Sequence, residues 1–180
     1  MKYLSIILSL FFPLLLSAQE DGPWTYFQSL KGDFSIDFPD GPRMDRADTV
    51  ETAIGQLVYH IFLVQKDQKA DNVMYMLSYC DYPEGTIHSD STELLNDFFE
   101  ATMDQAAKSV NGELTYFDFT WYNDFPGYLW RIDYLDGKVL IKTKAFLVDR
   151  RYYAIQTVTI RPKSLNLSVD RFMDSFRVIE

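Results

Sequence analysis

The sequence has one cysteine, Cys80, and two histidines, His60 and His88. One thiol cannot form an intramolecular disulfide, and a cysteine-based zinc site needs more thiolates than the chain holds. The 17 Lys and Arg residues are outnumbered by 26 Asp and Glu residues, so the net charge is −9. Because nucleic-acid binding needs a basic surface, this composition excludes a nucleic-acid partner.

Motifs of the common catalytic and metal sites are also missing. The 8 glycines are scattered and form no phosphate-binding loop, and no Gly-x-Ser-x-Gly or His-x-x-x-His pattern occurs. Four aspartates that lie near one another in sequence could offer oxygen ligands to Ca²⁺, but charged residues on strands and turns are usually solvated. We therefore expect no metal, no cofactor and no catalytic residue that the sequence alone can assign. The four aspartates are Asp118, Asp124, Asp133 and Asp136.

The N-terminal segment has the pattern of a secretory signal. Lys2 precedes an apolar run, Leu4–Leu16, that is too short to span a bilayer. The small residues that follow predict cleavage between Ala18 and Gln19, so residues 1–18 are interpreted as a signal peptide. We expect a secreted or periplasmic protein with no stable membrane insertion after cleavage.

The remaining segment, residues 19–180, has the size of a single domain. Hydrophobic residues make up 47% and charged residues 24% of the whole chain, which is typical of a folded globular protein. Removing Lys2, the only charged residue of the signal, from a chain of charge −9 leaves −10. An acidic domain of this kind favours neutral or basic partners.

Alternation of apolar and polar residues with a period of two predicts β-strands along most of this domain. Asp33–Phe38 is the clearest run, and Gln56–Gln65 is apolar on both faces, which predicts a central strand. Asp136-Gly137 predicts a type I′ turn between two later strands, because both central residues of that turn need a positive φ. The predicted strands are 24–30, 33–38, 46–52, 56–65, 72–82, 113–122, 128–135, 138–148 and 152–160.

Helical spacing of apolar residues appears in two places. A helix over residues 91–111 is predicted to begin with a capping box of Asp90 and Glu93, and Gly112 would take the left-handed position after its end. A second helix begins near residues 162–164. We expect Phe98 in the first helix and Phe176 in the second to be buried. Strands, helix, strands and helix in this order predict an antiparallel α+β sandwich.

Three short segments resemble the PsbP-like family: Phe34–Pro39, Phe125–Gly127 and Phe172–Phe176. This resemblance implies a curved antiparallel sheet packed with two amphipathic helices, and a role as an accessory or binding protein more than as an enzyme. The chain is also similar to secreted proteins of Bacteroidetes-type bacteria, whose signals often end in Ala-Gln. Neither resemblance assigns a site residue, because the family has no single catalytic motif.

Aromatic residues are unusually dense between Tyr116 and Tyr134. One interpretation is a core packed beneath a helix, since aromatic side chains dominate ordinary cores. The other is a binding surface for a protein or small ligand, centred on a turn at Phe125-Pro126-Gly127, because exposed Tyr and Trp side chains are typical binding anchors. The candidate binding residues are Trp121, Tyr122, Phe125, Tyr128 and Trp130.

We interpret the protein as a non-catalytic binding or accessory module. Two alternatives are a small hydrolase with a dispersed site and a carrier of an apolar small molecule between sheet and helix. A triad of His88, Ser89 and Asp90 is unfavourable for the hydrolase, because adjacent residues rarely point together. Within its apolar run, Cys80 is expected to be an inert buried thiol.

We predict that export removes residues 1–18, since the segment carries the charge, apolar run and small-residue end of a signal. Mass spectrometry of the exported protein should find an N-terminus at Gln19, or its cyclised form. A protein that retains residues 1–18 in the membrane would show that the segment is an anchor.

Overall fold

Residues 22–179 are described by the computed structural model, and the expected cleavage site at Ala18 and Gln19 lies outside them. Within this part, no helix is long and apolar enough to cross a membrane. The elements, in chain order, are β1 (Trp24–Ser29), β2 (Phe34–Pro39), β3 (Arg43–Thr52), β4 (Gly55–Gln65), β5 (Met74–Asp81), α1 (Thr92–Ser109), β6 (Glu113–Tyr122), β7 (Phe125–Tyr134), β8 (Val139–Val148), β9 (Arg151–Ile160), a short 3₁₀ helix (Arg161–Lys163), α2 (Leu167–Asp174) and β10 (Arg177–Val178).

Seven strands form one antiparallel sheet in the order β3-β4-β5-β9-β8-β7-β6. The other three form a small sheet, β1-β2-β10, that packs with α2 on one side of the large sheet. Helix α1 packs on the second side and covers part of it. We call these two sides the α2 face and the α1 face. This arrangement confirms the predicted α+β sandwich.

The central strands bury side chains on both faces. In β9, Tyr153 and Ile155 lie in the core of the α2 face, whereas Tyr152 and Ala154 lie in that of the α1 face. Successive side chains of a strand point to opposite faces, so a strand that is apolar throughout needs cover on both sides. The predicted central position of β4 is wrong, because β4 is second from the edge and Val58 is exposed.

Both ends of α1 differ in detail from the prediction. The N-cap residue is Ser91, and its side chain makes no capping hydrogen bond. Asn111 takes the left-handed conformation, with φ of 51°, at the position expected for Gly112. Asparagine tolerates this conformation better than most residues. Gly112 is needed for another reason: a Cβ there would lie 2.6 Å from Cγ2 of Ile132.

Helix α2 begins later than predicted, because Asn166 caps it. The Oδ1 atom of Asn166 accepts a hydrogen bond from the backbone N–H of Val169 at 3.1 Å. Leu165 therefore lies before the helix and is 98% exposed. Phe176 lies just after the helix, buried as predicted.

The turn between β6 and β7 consists of Asn123 and Asp124, not of Phe125-Pro126-Gly127 as predicted. Asn123 has a φ of 51°, which a turn residue of this type tolerates. Gly127 instead serves a close approach between strands, since a Cβ there would lie 2.2 Å from the carbonyl oxygen of Ala145. The predicted turn at Asp136-Gly137 is confirmed by two positive φ angles and by the Lys138 N–H···O=C Leu135 hydrogen bond.

We predict that Phe99→Ala and Phe176→Ala each lower the free energy of unfolding by about 3–5 kcal/mol, because each removes a fully enclosed ring. Phe98→Ala should cost less, since Phe98 is only partly buried, contrary to the expectation from the sequence. Urea unfolding followed by circular dichroism measures the differences, and Leu165→Ala is the exposed control. Losses below about 1 kcal/mol at both buried rings would contradict the assigned core.

Candidate functional site

The alternation of β6 and β7 divides the five predicted binding residues between two faces of the large sheet. Tyr122 and Phe125 pack against the core of the α2 face. Tyr128 and Trp130 belong to the α1 face. Trp121 lies on that face too, since its neighbour two residues back, Phe119, contacts Tyr128. The five side chains therefore do not form one surface.

Trp130 is buried, so its expected exposure is wrong. It lies between Phe117 of β6 and Thr143 of β8 in the sheet, beneath α1, and is 2% exposed. Its indole Nε1 atom is buried and has no hydrogen-bond partner among the described residues. For this residue the alternative interpretation, an aromatic core under a helix, describes the structure.

Three aromatic side chains of β6 lie exposed in a row on the α1 face: Phe117, Phe119 and Trp121, with exposed fractions of 54%, 42% and 58%. We call them the aromatic row. The ring of Phe119 meets that of Trp121 edge to face at 4.9 Å between centroids, and it meets Tyr128 at 5.3 Å. Phe117 and Phe119 belong to the aromatic-rich segment but are not among the predicted binding residues. Their spacing of two residues from each other and from Trp121 is the sequence signal that places the three side chains on one face.

Tyr128 joins the aromatic row to helix α1. Its hydroxyl donates a hydrogen bond to Oδ1 of Asn96 at 3.0 Å, and its ring packs on Phe99 at 4.9 Å. A side chain held at both its ring and its hydroxyl is fixed in orientation. The row therefore rests on a rigid aromatic support that reaches the core.

Strand β6 is an edge of the large sheet, so no strand among residues 22–179 pairs with its outer side. The two-residue loop makes Tyr122 and Phe125 a hydrogen-bonded pair of the β6–β7 ladder. Hydrogen-bonded and non-hydrogen-bonded pairs alternate along an antiparallel ladder, so the backbone N–H and C=O groups of the aromatic row point away from β7. One of these donors has a local partner: the Phe119 N–H donates to Oδ1 of Asp118 at 2.9 Å. Exposed rings and outward backbone groups thus belong to the same three residues.

Tyr122 and Phe125 line a different feature, an open cavity of about 730 Å³ at the end of the sheet. Its charged centre is Arg151, which forms ion pairs with Asp33 at 2.7 Å and with Asp81 at 2.5 Å. The Tyr122 hydroxyl accepts a hydrogen bond from the Val178 N–H at 2.9 Å. The Arg151–Asp33 ion pair ties the β1–β2 loop to the large sheet, and the Tyr122 hydrogen bond ties β10 to it, so the role of these contacts is structural.

A third feature is a groove of about 430 Å³ between α1 and the part of the sheet that the helix does not cover. Its floor includes Thr143 and Gln156, which are hydrogen-bonded to each other at 2.9 Å. Trp130 lies beside them, opposite Thr143 in the neighbouring strand. We call this feature the α1 groove. Its residues are Tyr59, Met76, Ser78, Tyr82, Phe98, Ala101, Thr102, Gln105, Ala106, Trp130, Thr143, Tyr152, Ala154 and Gln156.

The two histidines lie apart, in different surroundings. The ring of His60 stacks on that of Tyr79 at 4.7 Å between centroids. Burial is the main cause that lowers the pKa of His60, and the positive charge of Lys31 lowers it further. His88 lies in the loop before α1, where its Nδ1 atom accepts a hydrogen bond from the Asp90 N–H at 3.2 Å. Nearby, the Ser91 hydroxyl accepts from the backbone N–H of His88, not from its imidazole. The His88 imidazole lies near the carboxylates of Asp90, at 3.5 Å, and Asp149, at 3.9 Å, and no hydrogen bond joins it to Ser89, so the triad considered in the sequence is not assembled.

Among the four aspartates considered for calcium, Asp133 is held by two arginines and Asp118 bonds to its own strand. Asp133 lies between Arg131, 2.6 Å away, and Arg161. Burial acts to raise the pKa of Asp133, but the hydrogen bonds and charges of the two arginines outweigh it and hold that pKa below its ordinary value. Among residues 22–179, no three Asp, Glu, His or Cys side chains gather in a possible metal site.

Cys80 is fully buried beneath α1, next to Tyr59. Burial raises the pKa of its thiol to about 12, although the hydrogen bond with Tyr59 acts in the opposite direction. A thiol without a thiolate form is a poor nucleophile.

No protein-family model matches the sequence, and no curated protein matches it. Among solved structures, the chain is similar to cyanobacterial PsbP (CyanoP) from Synechocystis sp. PCC 6803, with a TM-score of 0.60 and 12% sequence identity. The match covers 86% of this chain and 92% of the cyanobacterial one. The chain has a PsbP-like fold. At this identity the likeness shows the fold alone, and the resemblance to Bacteroidetes-type secreted proteins stays a prediction.

Within the PsbP-like fold, the three segments that carried the resemblance have clear places. Phe34–Pro39 is β2 of the small sheet, Phe125–Gly127 begins β7, and Phe172–Phe176 covers the end of α2 and the residues after it. Phe34 and Phe176 stack at 6.3 Å between centroids. Two of the three segments thus meet in the core of the α2 face.

We predict that Cys80 resists iodoacetamide in the folded protein at pH 8, because a pKa of about 12 leaves about one thiol in ten thousand ionised. Mass spectrometry should show modification only after urea unfolds the chain. Rapid labelling of the folded protein would contradict both the burial and the raised pKa.

Proposed function

We propose that this protein is a secreted or periplasmic, non-catalytic binding module that recognises an extended segment of a protein partner along β6. The observation that carries the proposal is the coincidence, on one edge strand, of three exposed aromatic rings and outward backbone groups. Secretion is supported by Lys2, the apolar run Leu4–Leu16 and the small residues after it. The PsbP-like fold is consistent with an accessory role, but it does not identify a partner.

The aromatic row supplies contact area. Phe117, Phe119 and Trp121 lie two residues apart on the α1 face, so their rings lie exposed along one edge, and those of Phe119 and Trp121 are in contact. Soluble proteins seldom expose contiguous apolar surface without using it to bind. Rigid aromatic side chains lose little conformational entropy on binding, and interface energies therefore concentrate on them.

The backbone of β6 supplies direction and register. An extended segment that adds to a sheet edge forms main-chain hydrogen bonds with it, and alternate side chains of the segment face the row. In the free protein the Asp118 carboxylate accepts a hydrogen bond from the Phe119 N–H. This bond reduces non-specific pairing of β6 with the sheet edges of other molecules. A partner strand has to displace this carboxylate, so recognition depends on the aromatic contacts as well.

The opposite edge of the sheet shows the contrast. Strand β3 carries charged side chains along its length, among them the ion pairs Arg43–Asp45 and Arg46–Asp48. Charged edges are a common protection against strand addition. Strand β6 has two acidic residues and no basic residue. Its chemistry, like the acidic balance of the chain, favours a neutral or basic partner segment.

We predict that the double variant Phe119→Ser, Trp121→Ser loses binding to peptides selected against the wild type from a phage-displayed library of random decapeptides. Loss of two anchors of this kind should weaken binding at least about thirtyfold, since one anchor contributes about 2 kcal/mol. Isothermal titration calorimetry measures the affinity. The matched control is Tyr26→Ser, which removes an exposed aromatic ring from another edge strand, β1.

Amide hydrogen exchange shows whether binding is by strand addition. The amides of Phe117 and Trp121 should exchange quickly in the free protein and slowly in the peptide complex. Peptides that bind the double variant as well as the wild type, or that protect amides outside β6, would contradict the proposal. Protection of the same amides in the absence of peptide, at rising protein concentration, would identify a second copy of the chain as the occupant.

A further inference from the structure

The α1 groove has the size and lining of a small-molecule site and lies apart from the outer edge of β6. Its volume of about 430 Å³ falls within the usual range for such sites. Its wall on α1 consists mainly of small and apolar side chains, with Phe98, Ala101 and Ala106 among them. None of the groove residues is an Asp, Glu, Lys, Arg or His, so the groove offers no charge to pair with an ionised ligand.

Polar groups of the groove floor lie in one line across the sheet. Trp130 of β7 is opposite Thr143 of β8, and Thr143 is opposite Gln156 of β9. Thr143 and Gln156 use part of their hydrogen-bonding capacity on each other. The indole N–H of Trp130, in contrast, has no acceptor among the described residues, although the side chain is 98% buried.

A buried donor without an acceptor is costly, because folding removes it from water and returns no hydrogen bond. A ligand that brings an acceptor to this donor restores the bond, and its apolar body fills the groove. We infer that the α1 groove binds a neutral, mostly apolar small molecule with a carbonyl group, and that the indole N–H of Trp130 donates to this carbonyl.

The indole nitrogen is covered, so a carbonyl that accepts a hydrogen bond from this N–H has to displace a side chain that lines the groove. Gln156 and Gln105 both line the groove and can rotate without loss of the helix or the sheet. The inference does not rest on the proposed function, since the aromatic row and the groove are separate surfaces.

The test uses a fluorescent ketone, 6-propionyl-2-dimethylaminonaphthalene, and its analogue with a propyl group in place of the propionyl group. The ketone should bind the wild type with a blue-shifted emission, and the analogue about tenfold more weakly. Trp130→Phe keeps an aromatic ring, although a smaller one, and removes the N–H, so it should weaken binding of the ketone about tenfold more than it weakens binding of the analogue. Ala106→Phe should abolish binding of both, because it fills the groove.

Circular dichroism and urea unfolding establish that each variant is folded. A separate measurement, made on the wild type, follows the NMR resonance of the Trp130 indole N–H. That proton should shift downfield with the ketone and not with the analogue. Equal affinity for the two molecules, or equal affinity of wild type and Trp130→Phe for the ketone, would overturn the inference. So would binding that Ala106→Phe leaves intact or that Phe119→Ser, Trp121→Ser abolishes, since the molecule would then lie outside the groove.

Discussion

The structure depends on burying both faces of the seven-stranded sheet. Seven strands spaced about 4.8 Å apart are about 29 Å wide, whereas a helix with its side chains is about 10 Å wide. One helix can therefore cover about two strands, and α1 contacts β6 and β7. On the α2 face, the small sheet and α2 together cover the large sheet and enclose a large aromatic core. The α1 face has no such addition, so the part of the sheet that α1 leaves open, from β4 across β5, β9 and β8 to Trp130 of β7, remains as the α1 groove.

The position of α1 also explains the aromatic row. Because the helix packs on β6 and β7, Trp130 of β7 is enclosed beneath it, whereas Phe117, Phe119 and Trp121 of the edge strand β6 stay exposed. Trp130 and Phe117 are neighbours on the same face, yet one is buried and the other exposed. Their exposures differ because Phe117 lies one strand nearer to the edge of the sheet than Trp130 does. The same geometry thus produces the buried indole and the exposed row.

This dependence on tertiary packing marks the limit of what the sequence predicts. Strand existence, the long helix and the hairpin at Asp136-Gly137 follow from local periodicity and turn chemistry, which act within a few residues. The two-residue turn before Phe125 was missed because Pro-Gly is a strong turn signal, and only the contact with Ala145 reveals why Gly127 is a glycine. The binding residues were chosen for aromatic type alone. Which rings are exposed depends on strand order and helix position, and neither is encoded within the segment.

Helix α1 is the element that both proposed sites share. Its Asn96 side chain fixes Tyr128 beneath the aromatic row, and Phe98, on the same helix, lines the α1 groove. Phe99 packs against Tyr128 and Tyr152, so the core joins the two regions through contacts between rings. A tightly packed core resists small displacements, and a ligand that only fills the groove leaves the row in place. A ligand that moved α1 would change the support of Tyr128, and by thermodynamic linkage a partner on β6 would then change the affinity of the groove to the same extent.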